Sequence, residues 1–422
     1  MSLNRKKAID IMKKASGGMI EEKSATEIPH GFLAVLTGKN QVICVTDGAC
    51  AFADRLECTI DEYRYGVRIR FAEMSNKNSQ ALRFFLKWTA PGATGEKDSM
   101  GFEDDFGLLL PVAANELEEE EIKPVLLSHT DSAEKLALAM GDAAWQALTT
   151  GLVNGYGSEF SYAQAEQEVM NALLCGYTSI VVDASAKVDM SALELSDADL
   201  KNKFDKLNEE FQEALKLSYV DKKFTVAGIG EFSYSEQELR QYSLCYGEAI
   251  AFLQYTYNAY FKGAPWTVDF IVYLGKQDLT YKAHYLLANE LGRAGVKLVA
   301  IEASPDSQDF KDNTKVAANF SHKLRLVLAK ELTEENKNWL KESKSKFDLR
   351  PPKGSGLLLA YQAIKDLPAI KELGLDDFAG KDLLDKLVAN KELVKTQLIA
   401  NKEIYFELFH KQIEIYKNLL KK

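Results

Sequence analysis

Acidic side chains and one histidine stand at or near the ends of short apolar segments in the second half of the chain. They are His129 in SHTDSA, Asp183 in VVDAS, Glu231 in GIGEF, Asp269 in VDFIV and Glu302 in AIEAS. If these segments end at one rim, their charges converge, which is costly unless they bind a cation or pair with Lys and Arg. A divalent metal site is therefore one prediction. For Asp183 and Glu231 the alternative is that they cap helices or accept backbone N–H groups.

A glycine-rich turn in RPPKGSGLLLAYQAI (350–364) is the second candidate feature. Two prolines turn the chain, and Lys-Gly-Ser-Gly leads into an apolar helix. Exposed N–H groups at a helix start attract a carboxylate or phosphate, and glycine leaves them unobstructed. The other interpretation is an ordinary flexible turn. The predicted substrate-binding residues are Lys353, Gly354, Ser355 and Gly356, with Arg350 and Lys276 as alternative anion-binding side chains.

Short apolar segments alternate with helical patterns from Pro124 onwards. The predicted strands are PVLLSHT, SIVVDAS, FTVAGIGEF, WTVDFIVYLG, VKLVAIEAS, KLRLVLAKE and KFDLRPP, with a weaker eighth near residues 152–158. Strands that are apolar on both faces are typical of parallel sheets covered by helices. The count favours a (β/α)8 TIM-like barrel over an open doubly wound sheet, and no GxGxxG motif follows the first strand. In such a barrel the loops after the strands form the active site.

Two flanking regions complete the predicted α/β architecture. Residues 1–118 contain short strand patterns and turns, and predict a smaller N-terminal β-rich, α+β domain. Within it, residues 89–107 are polar and glycine-rich and are predicted as a loop. The barrel is predicted over residues 119–365. Residues 366–422 carry apolar side chains at three- and four-residue spacing, which predicts C-terminal helices that pack on the barrel or contact another subunit.

The composition of the chain limits the binding partners and the cellular location that are expected. The net charge of −10 and a pI near 5.3 argue against nucleic acid and against an anionic membrane surface. The apolar runs are too short to cross a bilayer, and the N-terminus lacks the apolar core of a secretory signal. Five cysteines without a CxxC pair indicate free thiols in a reducing compartment, so a cytoplasmic location is expected.

The stretch YKAHYLLANELGRAGVKLVAIEAS (281–304) resembles a segment of the tagaturonate epimerase family, metal-dependent enzymes that invert a hydroxyl-bearing carbon of keto-uronates. In that family a helix H-Y-x-I-A-x-E-L-x-x-x-G-V follows a strand ending V-D-E and precedes one ending S-L-A-P. The matching residues are His284, Tyr285, Ala288, Glu290, Leu291, Gly295 and Val296. HKLRLVLAKE and KGSGLLLAYQAI stand where the family shows Y-K-L-S-L-H-S-G-S-D-K and K-x-A-G-T-S.

The differences from the family pattern fall on polar positions. Phe270 replaces the glutamate of V-D-E, Val327 replaces the histidine of L-H-S-G-S-D-K, and IEAS replaces S-L-A-P. Framework positions are retained while positions expected at a metal site change. This pattern fits either a relative with a reorganised site and a different substrate, or a relative without catalysis.

The resemblance implies an epimerase or isomerase of keto-uronate-like sugar acids, acting through a metal-stabilised enediolate or a retro-aldol step. A divalent cation (Mn, Zn or Ni) would polarise the carbonyl. On this interpretation Glu231, Glu302 and His129 hold the metal, Asp183 or Asp269 moves the proton, and the glycine-rich turn binds the anion of a sugar acid or sugar phosphate. A homo-oligomer is possible.

Two alternatives remain open at this point. One is a catalytically silent barrel that binds a sugar acid or a partner subunit. The other is a class II aldolase-like lyase, since EVMNALLCGYTSIVVDAS resembles the helix–Gly–strand segment of those barrels, although no HxDH metal motif is present.

Overall fold

The N-terminal region of the computed structural model is an antiparallel sheet with two helices. The structure describes residues 3–117, 120–130, 132–152, 155–275, 279–343 and 345–421. The first elements are α1 (Arg5–Ser16), β1 (Thr26–Ile28), β2 (Gly31–Val35), β3 (Gln41–Thr46), β4 (Cys58–Arg64), β5 (Val67–Glu73) and α2 (Asn76–Phe85), and the strand order is β1-β2-β3-β5-β4. The side chain of Asn4 caps α1 by accepting from Lys7 N at 2.9 Å, and Gly17 ends the helix at a φ of 70°.

Eight parallel strands close into a barrel. They are β6 (Ser99–Phe102), β7 (Lys123–Ser128), β8 (Gly157–Ala163), β9 (Ser179–Asp183), β12 (Asp269–Tyr273), β13 (Leu298–Glu302), β14 (Lys323–Val327) and β15 (Phe347–Arg350). Neighbours in the barrel follow one another in the chain, apart from a separate hairpin of β10 (Phe224–Val226) and β11 (Gly230–Phe232). The predicted (β/α)8 fold with its N-terminal β-rich region is confirmed.

Helices cover the outside of the barrel because the outward side chains of its strands are apolar. These helices are α3 (Leu110–Leu117), α4 (Ala133–Thr150), α5 (Glu166–Cys175), α6 (Asp197–Phe204), α7 (Glu209–Tyr219), α8 (Glu236–Thr256), α9 (Tyr281–Arg293), α10 (Phe310–Asn319), α11 (Glu334–Glu342) and α12 (Ser355–Ile364). Phe270 of β12 illustrates the packing, since its ring meets those of Tyr257 and Phe261 at 5.4 and 4.8 Å.

Two strand predictions need correction. Strand β6 lies in the segment 89–107 that was predicted as a loop, so barrel structure begins before residue 119. Its sequence Ser-Met-Gly-Phe is too short and too weakly apolar to stand out among the polar residues around it. The segment FTVAGIGEF is not a barrel strand: Gly228 (φ 81°) and Gly230 (φ 104°) turn the chain inside it and produce the β10–β11 hairpin.

The C-terminal residues form helices that pack on one side of the barrel. They are α13 (Pro368–Lys371), α14 (Gly380–Ala389), α15 (Lys391–Ala400) and α16 (Lys402–Leu420). The α16 helix contacts α3, α11 and α12, and the ring of Phe409 lies 5.6 Å from that of Phe102 in β6. Among the described residues, no helix is both long and apolar enough to cross a membrane.

A buried histidine pair joins α9 to the start of β14. His284 Nδ1 lies 3.0 Å from Asn313 Oδ1, and the Nδ2 of Asn313 donates to Leu279 O. The Oδ1 atom is therefore the acceptor, so His284 carries its proton on Nδ1 and accepts from His322 Nε2 at 2.8 Å. Both rings are thus held in their neutral forms. Burial lowers the pKa of His284 to about 4 and also lowers the pKa of His322.

Acidification should therefore destabilise the protein. Between pH 6.5 and about 4 the unfolded chain binds a proton at His284 that the folded chain does not, so stability falls as the pH falls. A difference of about 2.5 pH units at about 1.36 kcal/mol per unit gives a loss of about 3 kcal/mol. Urea unfolding at a series of pH values measures it. His322→Asn should make this pH dependence smaller, whereas His30→Asn, at an exposed position, should leave it unchanged.

Candidate functional site

The mouth of the barrel, at the carboxyl ends of its strands, gathers polar side chains from six strands or the loops that follow them. We call this set the mouth cluster: His129, Tyr162, Asp183, Tyr273, Glu302 and Arg325. Strand register places Asp183 beside Tyr273, and Glu302 beside Arg325. Of the predicted residues, the structure thus brings together His129, Asp183 and Glu302.

The centre of the mouth cluster is a carboxylate between a guanidinium and a phenol. Arg325 Nη1 donates to Glu302 Oε2, and the hydroxyl of Tyr162 lies 3.2 and 3.1 Å from the two oxygens of Glu302. Arg325 Nη1 also lies 3.3 Å from the Tyr162 hydroxyl oxygen, and the guanidinium carbon lies 5.4 Å from the centre of its ring. These three groups are therefore held against one another.

The backbone of β8 is strained where it presents Tyr162. This residue has a φ of 65°, which is uncommon for a side-chain-bearing residue, and the pairing of β8 with β9 is irregular between Phe160 and Ala163. The ring packs against Tyr273 at 5.0 Å and is stacked on His129 at 6.4 Å. Strain of this kind is often found at functional sites, and here it aims the phenol at Glu302.

Beneath the mouth cluster, a buried carboxylate holds two arginines. Glu159 Oε1 accepts from Arg325 Nη2 at 2.7 Å, and its Oε2 accepts from Arg350 Nε at 2.8 Å. All three side chains are at most 1% exposed. Burial alone would raise the pKa of Glu159, but the two guanidinium charges outweigh it and lower the pKa to about 2. Glu159 is therefore ionised and fixes Arg325 from below.

The pKa values of Glu302 and Tyr162 in the mouth cluster are raised. Burial raises the pKa of Glu302, against the opposing charge of Arg325. Burial also raises the pKa of Tyr162 to about 12, so its hydroxyl keeps its proton. A carboxylate with a raised pKa is suited to accept a proton from a substrate, and a protonated phenol is suited to donate a hydrogen bond to a developing oxyanion.

Asp183 lies at the end of β9 with both oxygens engaged. Gln164 Nε2 donates to its Oδ2 at 2.8 Å and the backbone N–H of Ser185 donates to its Oδ1 at 2.9 Å. The hydrogen bond from Ser185 agrees with the alternative interpretation from the sequence, in which Asp183 accepts a backbone N–H group. Asp183 is nevertheless in the mouth, beside Tyr273, and its part in proton transfer stays a prediction.

The glycine-rich turn after β15 holds a carboxylate of the protein itself. Glu103, which follows β6, accepts from Gly354 N and Gly356 N at 2.9 Å each and lies 3.3 Å from the Ser355 hydroxyl. Its Oε1 lies 2.9 Å from His129 Nε2. Burial would raise the pKa of Glu103, but His129 and the backbone donors lower it. The turn thus holds the carboxylate of Glu103, and its binding of a substrate anion stays a prediction.

Three of the predicted site residues lie elsewhere or are enclosed. Glu231 is on the β10–β11 hairpin, exposed and paired with Lys223 at 2.6 Å, because its segment is not a barrel strand. Asp269 begins β12 at the opposite end of the barrel, where Thr94 Oγ1 and Ser179 Oγ donate to it at 2.7 and 3.0 Å. Arg350 is buried against Glu159 and Lys353 is exposed. Lys276 lies outside the described residues.

The predicted metal ligands do not fit a divalent cation. Glu231 is away from the mouth, His129 is paired with Glu103, and Glu302 is paired with Arg325. Across the part of the chain that the structure describes, no three His, Cys, Asp or Glu side chains lie together so that they could hold a metal ion. The Glu302 carboxylate is balanced here by the guanidinium of Arg325, and Glu103 is held by backbone N–H groups. The metal stays a prediction from the sequence.

A large cleft lies at the opposite, amino-terminal end of the barrel. It has a volume of about 870 Å³ and is lined by the starts of β12, β13 and β14, with Trp266 and His322 among its residues. Size alone would make it a candidate site. We assign the functional site to the mouth because barrels of this type place their chemistry at the carboxyl ends of the strands, where Glu302 and Arg325 lie.

Several residues of the site were not predicted from the sequence. Glu159 is the single charge in the weakly polar segment GSEFSYA, and Arg325 is the charge in the middle of KLRLV, which begins with Lys323. A charge inside a barrel strand was the available signal for both, because an inward charge must have a partner. Glu103, Tyr162 and Tyr273 had no comparable signal, since aromatic residues and loop acids are common.

The fold and the mouth cluster define a (β/α)8-barrel protein with an acid, a phenol and a guanidinium at the active-site end. The chain matches the sequence model of the tagaturonate epimerase family (UxaE) over residues 22–304, and it belongs to that family. The resemblance seen in the sequence is thereby confirmed.

Solved structures agree with this assignment at the level of the fold. A glycerol-bound crystal structure of fructuronate-tagaturonate epimerase UxaE from Cohnella laeviribosi is 19% identical, with a TM-score of 0.80 over 99% of each chain. The native crystal structure of that protein gives a TM-score of 0.79 at 19% identity, over 98% of this chain and 99% of the other. A comparison with curated proteins finds no match.

Proposed function

We propose that this protein is a sugar-acid epimerase that acts on keto-uronates at the mouth cluster. Membership of the tagaturonate epimerase family supports the reaction class. The observation that carries the site assignment is the contact of Glu302 with Tyr162 and Arg325, since it combines a base with two donors for an oxyanion. These are the groups that an enediolate-forming reaction needs.

Two routes to an enediolate use the same three side chains. In one, Glu302 removes a proton from the carbon next to the ketone, and the electron pair moves onto the carbonyl oxygen. In the other, a retro-aldol step, Glu302 takes a hydroxyl proton, the C–C bond breaks, and its electron pair again reaches the ketone oxygen. In both, Arg325 and Tyr162 donate hydrogen bonds to that oxygen. In the retro-aldol route, re-formation of the bond on the opposite face of the new carbonyl inverts the centre, and the hydroxyl regains its proton from Glu302. In the proton-transfer route, inversion needs a second acid that protonates the opposite face, a role for which Asp183 is the candidate, while Glu302 releases its proton to solvent.

The proposal is tested by incubating the purified protein with D-tagaturonate and following the products by proton NMR. Conversion to an epimer of tagaturonate is the expected result. Binding without turnover, seen as a thermal shift with no new signals, would favour the silent barrel instead, and cleavage into smaller fragments would favour a lyase. The cytoplasmic location, the sugar phosphate as an alternative ligand and the homo-oligomer stay predictions from the sequence.

A further inference from the structure

We infer that the guanidinium of Arg325 supplies, within the mouth cluster, the positive charge that a divalent cation supplies in a metal-dependent epimerase. The inference rests on the proposed function and adds the means by which the developing oxyanion is neutralised. It follows from how the carboxylates of the mouth are paired, from how Arg325 is held and from how charge would move in the reaction.

Three carboxylates at the mouth, those of Glu302, Glu103 and Asp183, already have partners. Glu302 is paired with Arg325, and Glu103 accepts from two backbone N–H groups and contacts His129. Asp183 accepts from Gln164 and from the backbone of Ser185. A divalent cation would have to displace these donors and would lie close to a fixed guanidinium. The cation and the guanidinium are both positively charged, and like charges that are close together in a buried site repel strongly.

Arg325 is a fixed charge and not a mobile surface arginine. Its side chain is 1% exposed. The Nε and Nη2 atoms donate to Glu159 at 3.2 and 2.7 Å, which leaves Nη1 as the group directed at Glu302 and Tyr162. Its pKa is raised well above the ordinary value by Glu159 and Glu302, which outweigh burial, so it stays protonated. A pre-oriented cation of this kind stabilises a transition state without reorganising.

The charges of the cluster suit an enediolate once Glu302 has taken the proton. In the resting site two guanidinium groups, Arg325 and Arg350, balance two carboxylates, Glu159 and Glu302. When a proton moves from the substrate to Glu302, these four groups gain one positive charge as the substrate oxygen gains one negative charge. Arg325 Nη1 is then released from the ionic bond to Glu302 and can donate to the oxyanion beside the hydroxyl of Tyr162.

The first test uses the wild-type protein and measures metal content and ligand binding. Metal per chain is measured by mass spectrometry, and D-tagaturonate binding is measured calorimetrically with and without EDTA. We expect far less than one ion per chain, no change in binding with EDTA, and no thermal shift with Mn²⁺, Zn²⁺ or Ni²⁺. A near-stoichiometric ion whose removal weakens binding or lowers the melting temperature overturns the inference, whatever the activity.

The second test compares conservative variants. Arg325→Lys keeps a positive charge but loses the planar donor pattern, so kcat for D-tagaturonate should fall about ten- to hundredfold, while substrate binding changes less. Arg293→Lys, at an exposed arginine paired with Glu290, is the matched control and should turn over D-tagaturonate as the wild type does. An unchanged kcat in Arg325→Lys would contradict the inference. If that variant does not fold, Tyr162→Phe tests the same oxyanion contact, and unchanged binding and turnover there count against it.

The two proposals can fail separately. If the wild type neither binds nor converts D-tagaturonate, the proposed function fails, whereas the metal measurements still decide whether the mouth holds a cation. If the wild type converts D-tagaturonate only with a bound metal ion, the function stands and the role given to Arg325 is wrong.

Discussion

Replacing Glu159 with glutamine should lower the free energy of unfolding by about 3–5 kcal/mol, because two arginines are then left buried without their shared counter-charge. The carboxylate binds Arg325 and Arg350, and none of the three side chains is more than 1% exposed. A neutral amide accepts from only one of the guanidinium groups through its oxygen, and its nitrogen faces donors. Urea unfolding of both proteins at pH 7 measures the difference.

Two controls separate burial from charge. Glu248→Gln removes an exposed ion pair with Lys187 and should cost about 0–1 kcal/mol. A triple variant, Glu159→Leu with Arg325→Met and Arg350→Met, replaces Glu159 and both arginines by apolar groups and should recover part of the stability, although it also removes the guanidinium partner of Glu302. A loss in Glu159→Gln no larger than that in Glu248→Gln would show that the network is not the buried structure described here.

The carboxylate of Glu159 gives a second pH range in which the protein loses stability. Its pKa is about 2 in the folded protein against an ordinary 4.5, so its contribution is complete above pH 4.5 and is lost as the pH falls towards 2. Most of this range lies below the pH window of His284, whose pKa is about 4 in the folded protein. Acid unfolding should therefore show two successive losses of stability, of which Glu159→Gln removes the lower one.

A strand of the barrel could be predicted only where its hydrophobic pattern can be recognised in the sequence. Strands such as SIVVD and DFIVY are apolar on both faces, since the barrel buries them completely, and periodicity alone identifies them. Strand β6 could not be identified this way. It is four residues long, and its place in the barrel is fixed by pairing with β7 and β15, which a local pattern does not contain.

The site was only partly predictable for a related reason. The positions of Asp183 and Glu302 follow from the rule that strand ends share a rim, and both were found. The prediction that Glu231 lies at the rim was wrong because its glycine-containing segment forms a hairpin and not a barrel strand. The glycine-rich turn holds a carboxylate, but the carboxylate is that of Glu103, which lies some 250 residues away in the chain, and only the closed barrel brings the two together.

Replacing Glu302 with glutamine should reduce kcat for D-tagaturonate epimerisation by about 10²–10⁴-fold, since a positioned base contributes about that much. The amide is nearly the same shape and can still accept from Arg325 through its oxygen, but it cannot take a proton. We therefore expect KM and the melting temperature to change little. Steady-state kinetics with proton NMR detection and thermal unfolding measure the three quantities.

The pH dependence distinguishes Glu302 from its neighbour in the mouth. Because the pKa of Glu302 is raised, kcat/KM of the wild type should fall on the acidic side at a pH above the ordinary carboxyl range. Asp183→Asn, which keeps an oxygen that can accept from Gln164 or Ser185, should lower activity less and keep this acidic limb. If Asp183→Asn instead abolishes turnover while Glu302→Gln remains active, the base is Asp183 and the proton-transfer role given to Glu302 is wrong.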